Sequence, residues 1–142
     1  MRDGILIGID AGTSVIKSVA FTVTGEQVAA AAIPNRYLTF PDGGAEQDMA
    51  RTWTDAAATL RELTQKIPNL AERLIAISVT GQGDGMWLID KEGEPVAPAW
   101  LWLDARSAAN AEGWAAGAEG LPHDQRAGTS VNNSKMSTQL VW

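Results

Sequence analysis

The stretch "GIDAGTSVIK" (residues 8–17) decides the fold, because it turns the chain between two runs that both have the pattern of β-strands. The run before the turn, "ILIGID" (5–10), is short and rich in isoleucine and predicts a buried strand. The run after it, "VIKSVAFTV" (15–23), alternates between two faces, as half-buried strands do. A turn at 24–27 and the apolar run "VAAAAI" (28–33) complete a predicted three-stranded antiparallel meander.

A long amphipathic helix is predicted after a loop at 34–44. Asp48 is its predicted N-cap, and Pro68 ends it because proline cannot continue a helix. Apolar residues spaced alternately by four and three predict one buried face. That face consists of Met49, Trp53, Ala56, Leu60, Leu63 and Ile67.

The second half of the chain mixes strands and helices, so the predicted fold class is α/β. The predicted elements are a buried strand at 74–81, a glycine-rich loop at 81–85, a strand at 86–90, a turn at 91–95, an extended segment at 99–106, a helix from Ser107 and a helix within 134–142. The last helix ends on the apolar Trp142 in mid-pattern. We therefore expect residues 1–142 to be part of a longer protein.

Composition excludes several classes of site and partner. The chain has no cysteine and one histidine, which excludes disulfides, thiolate metal sites and a cysteine nucleophile and argues against a histidine-based triad. Its formal net charge of −6 argues against nucleic acid and anionic membranes as partners. The N-terminal apolar run is too short for a signal or membrane segment, so the expected location is cytoplasmic.

The turn at 10–14 has the residues of a phosphate-binding loop. Gly12 lets a ligand approach the backbone, and Thr13 and Ser14 supply hydroxyl and amide donors. Lys17 supplies a positive charge, whereas the carboxylate of Asp10 suits Mg²⁺ bound through water. The loop leads into a strand and lacks the Walker A pattern. A plain hairpin turn remains an equal alternative at this point.

Two later loops carry residues suited to hydroxyl-rich ligands. In "GQGDG" (81–85), glycines leave Gln82 and Asp84 free to bind adjacent hydroxyls, although a plain glycine-rich hairpin fits as well. In "WLDAR" (102–106), an acid and an arginine lie beside a tryptophan, and the alternative is an ion pair that orders the chain. Tryptophans usually pack in cores, but the Trp100/Trp102 pair also suits a sugar pocket.

These loops, in this order, resemble the N-terminal part of the FGGY carbohydrate kinases, of the actin-like ATPase superfamily. The resemblance covers essentially the whole chain in four stretches. The matching residues are Asp10, Gly12, Thr13 and Ser14 with Lys17; Gly44, Glu46, Gln47, Asp48 and Trp53; Ile77, Gly81 and Gln82; and Pro98, Ala99, Trp102, Asp104 and Arg106. Met49 replaces the proline that often follows the acid of the second stretch.

The resemblance implies an RNase H-like fold, with residues 1–142 forming an incomplete first domain of an ATP- and Mg²⁺-dependent sugar or polyol kinase. By analogy, Thr13, Ser14 and Lys17, with the backbone at Gly12, face the phosphates of ATP, and Asp10 faces the metal. Residues expected to contact the acceptor are Gln82, Gly83, Asp84, Trp102 and Asp104. The general base is expected beyond Trp142, so we expect the isolated chain to be inactive.

The acceptor loop also bears on the substrate. Gly83 and Asp84 depart from the Arg-Glu pair of glycerol kinases and the Met-His pair of xylulokinases. The surrounding sequence resembles the branch that phosphorylates erythritol, so a small linear polyol is the preferred acceptor. A ketose or deoxy sugar of the L-xylulose or L-fuculose type is one alternative, and a non-enzymatic actin-like nucleotide switch is another. Homo-oligomerisation of the whole protein is left open.

Overall fold

A computed structural model describes residues 3–117, 125 and 128–142. The chain divides into one unit of Met1–Arg36 and Ala50–Gln82 and a second of Tyr37–Met49 and Gly83–Trp142. The strands are β1 (Ile5–Ala11), β2 (Val15–Thr22), β3 (Gln27–Pro34), β4 (Leu38–Thr39), β5 (Ala45–Gln47), β6 (Leu74–Gly81), β7 (Gly85–Met86) and β8 (Ala99–Leu101). The helices are α1 (Met49–Lys66), α2 (Leu70–Arg73), α3 (Ala108–Ala116) and α4 (Met136–Leu140).

The first unit contains a four-stranded sheet in the order β3-β2-β1-β6. β1 pairs with β2, and β2 with β3, in antiparallel register, which confirms the predicted meander. β6 joins the other side of β1 in parallel. Parallel pairing requires a crossover, and α1 with α2 lies in that connection.

The core of this unit lies between alternating strand residues and α1. Ile5, Ile7 and Ile9 are buried on β1, and Leu63 and Ile67 are buried at the helical side. This alternation follows from the two-residue period of a strand, which sends every second side chain to the same face.

The predicted face of α1 is partly wrong, because Trp53 is 77% exposed. The buried stripe instead follows a spacing of four through Asp55, Thr59, Leu63 and Ile67. Two of these positions are polar, and each has a partner: Arg51 Nε donates to Asp55, and Ser18 Oγ on β2 lies 2.6 Å from Thr59 Oγ1. The spacing of apolar residues therefore predicted the wrong buried stripe, because the polar residues Asp55 and Thr59 occupy part of the buried face.

β6 was predicted to be buried, but most of its residues are exposed. The physical reason is its place in the sheet, since β6 is an edge strand with β1 as its one neighbour in the described structure. Its apolar side chains at Ile75, Ile77 and Val79 are all exposed.

The second unit contains a small sheet in the order β4-β5-β8-β7, with antiparallel pairing throughout. The loop predicted at 34–44 is thus wrong in part, because β4 lies within it and pairs with β5. The strand predicted at 86–90 is also shorter, with only Met86 in β7 and a single bridge between Ile89 and Pro95. Asp90 Oδ1 accepts the backbone N–H groups of Glu92 and Glu94, and these bonds help to close the turn predicted at 91–95.

The two predicted helices of the second unit are confirmed. α3 begins just after Ser107, and α4 lies within the predicted C-terminal segment. In the part of the chain that the structure describes, no helix has the length and apolar character needed to cross a membrane.

Candidate functional site

The turn between β1 and β2 is closed by its own backbone. The N–H of Gly12 donates to the carbonyl oxygen of Val15 at 3.1 Å. A Cβ at position 12 would lie 3.0 Å from that same oxygen, which is tighter than ordinary packing allows. Gly12 does not have a positive φ, so glycine is favoured here by close backbone approach and not by a left-handed conformation.

Asn35, just after β3, donates hydrogen bonds to this turn, and the sequence alone did not identify it as a site residue. Its side-chain amide donates to the carbonyl oxygen of Gly12 at 2.8 Å, and its backbone N–H donates to the carbonyl oxygen of Ser14 at 2.8 Å. Asn35 is itself buried. One residue therefore binds two carbonyl oxygens of the turn. No local sequence pattern at position 35 predicts these bonds, because the turn lies over twenty residues earlier in the chain.

Polar side chains of the turn remain accessible. Asp10, Ser14 and Lys17 are exposed, and Thr13 is half-buried. Asp10 and Lys17 are directly opposite residues of the β1–β2 ladder, so their side chains emerge on one face of the sheet. The structure thus brings an acid, a lysine and hydroxyl residues together at one end of this hairpin.

The hairpin offers Mg²⁺ a single carboxylate ligand, that of Asp10. Among the described residues, no group of three or more histidine, cysteine, aspartate or glutamate side chains is arranged to hold a metal. A lone exposed Asp10 suits an ion that keeps several waters and takes its other oxygens from phosphates.

The loop at 81–85 divides between the two units. Gln82 is half-buried at the end of the first unit, while Gly83 and Asp84 begin the second. A Cβ at Gly83 would have no heavy atom within 4 Å, so this position opens into space. At Gly85, φ is +102° and a Cβ would lie 2.5 Å from the carbonyl oxygen of Trp100, so glycine is obligatory at the start of β7.

Asp84 has a cationic partner that the sequence did not reveal. Lys135 Nζ lies 3.2 Å from both carboxylate oxygens of Asp84. Ser134 Oγ lies 3.4 Å from Oδ2 and closer, at 2.5 Å, to Asn132 Oδ1. The backbone supports the contact, since the N–H of Gly85 donates to the carbonyl oxygen of Ser134 at 2.8 Å. Asp84 keeps 39% of its side chain exposed, so part of its carboxylate still faces solvent.

Asp104 lies in a different environment, with a fully buried side chain. Its Oδ2 accepts the backbone N–H of Ala45 at 2.8 Å, and Arg106 binds both of its oxygens. Arg106 also reaches Glu46 at 2.8 Å. The ion-pair alternative therefore describes the geometry of Asp104, although its predicted contact with an acceptor stays a prediction.

Arg106 and the two carboxylates that it contacts, Asp104 and Glu46, form a charged cluster in which Asp104 and Arg106 stabilise each other's charged forms. Burial raises the pKa of Asp104, but hydrogen bonds from the Arg106 side chain and from the backbone N–H groups of Ala45 and Arg106 outweigh it and leave that pKa below its ordinary value. The hydrogen bond to Asp104 raises the pKa of Arg106 against the effect of burial, with a further contribution from Glu46. A Cβ at Gly44 would lie 3.0 Å from the Arg106 guanidinium, so a larger residue there would push against Arg106.

The two tryptophans of the predicted sugar-binding pair have different surroundings. The guanidinium of Arg106 stacks 3.7 Å from the ring centre of Trp100, and Trp142 packs edge-on against Trp100 at 5.0 Å. Trp102 is 49% exposed. Trp100 is thus a packing residue, and Trp102 is the member of the pair with about half of its surface exposed.

Comparison with known proteins gives a consistent result. The profile of the FGGY family of carbohydrate kinases, N-terminal domain, matches residues 5–142. An erythritol kinase from Brucella abortus (strain 2308) is 48% identical over 140 residues, which cover 99% of this chain and 27% of that protein. A xylulose kinase from Streptomyces coelicolor is 36% identical over 108 residues, covering 75% of this chain and 21% of that protein.

A solved structure shares the fold. The crystal structure of xylulose kinase from Rhodospirillum rubrum superposes with a TM-score of 0.89 at 27% sequence identity, covering 97% of this chain and 28% of that one. The predicted RNase H-like, actin-like ATPase fold is confirmed by this likeness. This chain spans about a quarter of the length of these relatives.

Proposed function

We propose that this chain, which belongs to the FGGY family of carbohydrate kinases, is the N-terminal part of an ATP-dependent kinase that phosphorylates a small polyol such as erythritol. In this proposal, residues 1–142 form the beginning of the first of two domains. The proposal rests on one observation above all, the 48% identity to an erythritol kinase over nearly the whole chain.

The β1–β2 turn supplies the phosphate-binding part of the proposed site. Thr13 and Ser14 donate hydrogen bonds to the terminal phosphates of ATP, the backbone at Gly12 allows their close approach, and Lys17 neutralises charge. Asp10 would hold Mg²⁺ through water, and the bound ion would supply positive charge to offset the charge of the phosphoryl group. The exposure of Asp10, Ser14 and Lys17 on one hairpin supports these roles.

The acceptor side of the proposed site lies in later loops. The exposed part of the Asp84 carboxylate accepts hydrogen bonds from polyol hydroxyls, and Gln82 both accepts and donates them. Gly83 leaves room for the ligand, and Trp102 presents an apolar face to its C–H groups. Catalysis then depends on positioning a hydroxyl for in-line attack, with a base that we place beyond residue 142.

A ketose kinase is the second candidate function. The likeness to xylulose kinases in sequence and in structure favours it. A nucleotide-driven switch without an acceptor is disfavoured, because the accessible Asp84 and Trp102 have no role in it. For either kinase we expect a cytoplasmic location, where ATP is available.

The test is a phosphorylation assay of the full-length protein with Mg²⁺-ATP. The acceptors are erythritol, its stereoisomer threitol, pentitols, and the ketoses xylulose, L-xylulose and L-fuculose. We expect the largest kcat/KM for erythritol. A larger kcat/KM for a ketose would establish the second candidate, and nucleotide hydrolysis with no acceptor phosphorylated would contradict both kinase proposals.

A further inference from the structure

The acceptor loop at 81–85 contains an acid but no cation of its own. The cation comes from the far end of the chain, because Lys135 Nζ lies 3.2 Å from both oxygens of Asp84. Such symmetric spacing places the ammonium on the bisector of the carboxylate, which restricts the rotation of the Asp84 side chain.

Lys135 is itself well anchored. Its carbonyl oxygen accepts the N–H and the Oγ1–H of Thr138 at 3.1 and 2.8 Å, and Thr138 is fully buried. The side chain of Lys135 is 22% exposed. The backbone of Lys135 is therefore fixed at the N-terminal end of α4. A flexible surface lysine, in contrast, would lose much rotamer entropy on forming an ion pair.

The chain offers an internal comparison for this ion pair. Lys91 and Glu92 also form a salt bridge, at 3.4 Å, but their side chains are 89% and 60% exposed. Water and salt screen such a pair strongly. The Asp84–Lys135 pair is more buried, and its ammonium contacts both carboxylate oxygens. It is therefore able to fix the orientation of the Asp84 carboxylate, whereas the Lys91–Glu92 pair is not able to fix that of Glu92.

From these contacts we infer that Lys135 is a positioning residue of the acceptor site, and that it orients the Asp84 carboxylate toward the hydroxyls of an uncharged polyol. The inference rests on the proposed function. One side of the carboxylate is occupied by Lys135 and Ser134, so its remaining lone pairs point toward the exposed side, where adjacent hydroxyls bind. The pair is neutral as a whole, which suits a neutral ligand better than an anionic sugar acid.

The experiment measures steady-state kinetics of the full-length protein with Lys135→Met. We expect KM for the polyol to rise about tenfold or more, with kcat changed by less than about threefold and KM for ATP unchanged. Lys135→Arg keeps the charge and is expected to restore part of the lost affinity. In an Asp84→Asn background, Lys135→Met is expected to add no further increase, because Lys135 acts through Asp84.

Lys91→Met is the matched control, the same substitution in an exposed ion pair, and is expected to leave every kinetic constant unchanged. If Lys135→Met fails to fold, Lys135→Gln replaces it in the same comparison. Unchanged KM for the polyol in an active enzyme would overturn this inference alone. Equal losses toward ATP and polyol would show a general structural role and would also overturn it. Failure of the wild-type protein to phosphorylate any polyol would overturn both this inference and the proposed function.

Discussion

The side-chain amide of Asn35 donates one hydrogen bond to the turn that we propose binds phosphate. Replacing Asn35 with alanine removes the hydrogen bond to the carbonyl oxygen of Gly12 and leaves that part-buried acceptor without this partner. We expect Asn35→Ala to raise KM for ATP by about fivefold to twentyfold and to leave KM for the polyol unchanged. Steady-state kinetics with each substrate varied in turn measures both effects.

Asn110→Ala serves as the control, because Asn110 lies in α3 of the other unit and outside the proposed site. Asn35→Asp is a sharper variant, since a carboxylate cannot donate to the carbonyl oxygen of Gly12 and adds negative charge beside the proposed phosphate site. It is expected to be worse than Asn35→Ala. An Asn35→Asp enzyme with normal KM for ATP would contradict the assignment.

Asp104 makes a pH-dependent contribution to stability. Its folded pKa lies below the ordinary value, so its stabilising effect is present above the unfolded pKa near 4 and is lost as pH falls through the folded pKa. We expect Asp104→Asn to lower the free energy of unfolding at pH 7 by about 2–4 kcal/mol. The difference from wild type is expected to shrink steadily below about pH 4.

Denaturant unfolding of both proteins between pH 3 and pH 7 tests this prediction. Asp3→Asn is the control, because Asp3 pairs with Arg73 through a side chain that is 84% exposed, and it is expected to change stability by less than about 0.5 kcal/mol at any pH. A difference for Asp104→Asn that is independent of pH would argue against an ionised Asp104 as the source of the stability.

At the scale of elements, pairing of β5 with β8 joins two family stretches that are far apart in the sequence. Glu46 lies opposite Trp100 in this ladder, and Arg106 then reaches back to Glu46. Both stretches were identified in the sequence by their resemblance to the family, and β5 itself was not predicted. The sequence did not predict their contact, because strand pairing between distant segments depends on the whole sheet and not on the residues of either strand.

Gly85 is the element-scale test of the β7–β8 pair. An alanine there must adopt a φ of +102° and place its Cβ 2.5 Å from the carbonyl oxygen of Trp100. We expect Gly85→Ala to destabilise the protein by about 3 kcal/mol or more, measured as the free energy of unfolding. The backbone must move to relieve the contact, so the bond from Gly85 to Ser134 is also expected to weaken.

Gly83→Ala is the matched control two residues away in the same loop. Its φ is not positive and its added Cβ meets no atom within 4 Å, so stability is expected to change by less than about 0.5 kcal/mol. If Gly83→Ala destabilised the protein as much as Gly85→Ala, general loop sensitivity would replace the specific contact as the explanation.

At the scale of the whole molecule, activity is expected to require more than residues 1–142. The chain spans 27% of the erythritol kinase that it matches, and we place the general base outside it. We expect the purified 142-residue chain to show no ATP-dependent phosphorylation of erythritol under conditions in which the full-length protein is active. Measurable turnover by the chain alone would contradict the assignment of the base beyond residue 142.

The sequence by itself determined the meander, the bounds of α1 and the position of the β1–β2 turn, which we propose binds phosphate. Two-residue and 3.6-residue periods, glycine and proline act over a few positions, so local reading is sufficient for them. Tertiary structure alone decided that Trp53 is exposed, that β6 lies at the edge of the described sheet, and that Lys135 contacts Asp84. These features depend on which distant segments lie side by side, and ion pairs and burial arise only after the sheets have brought those segments together.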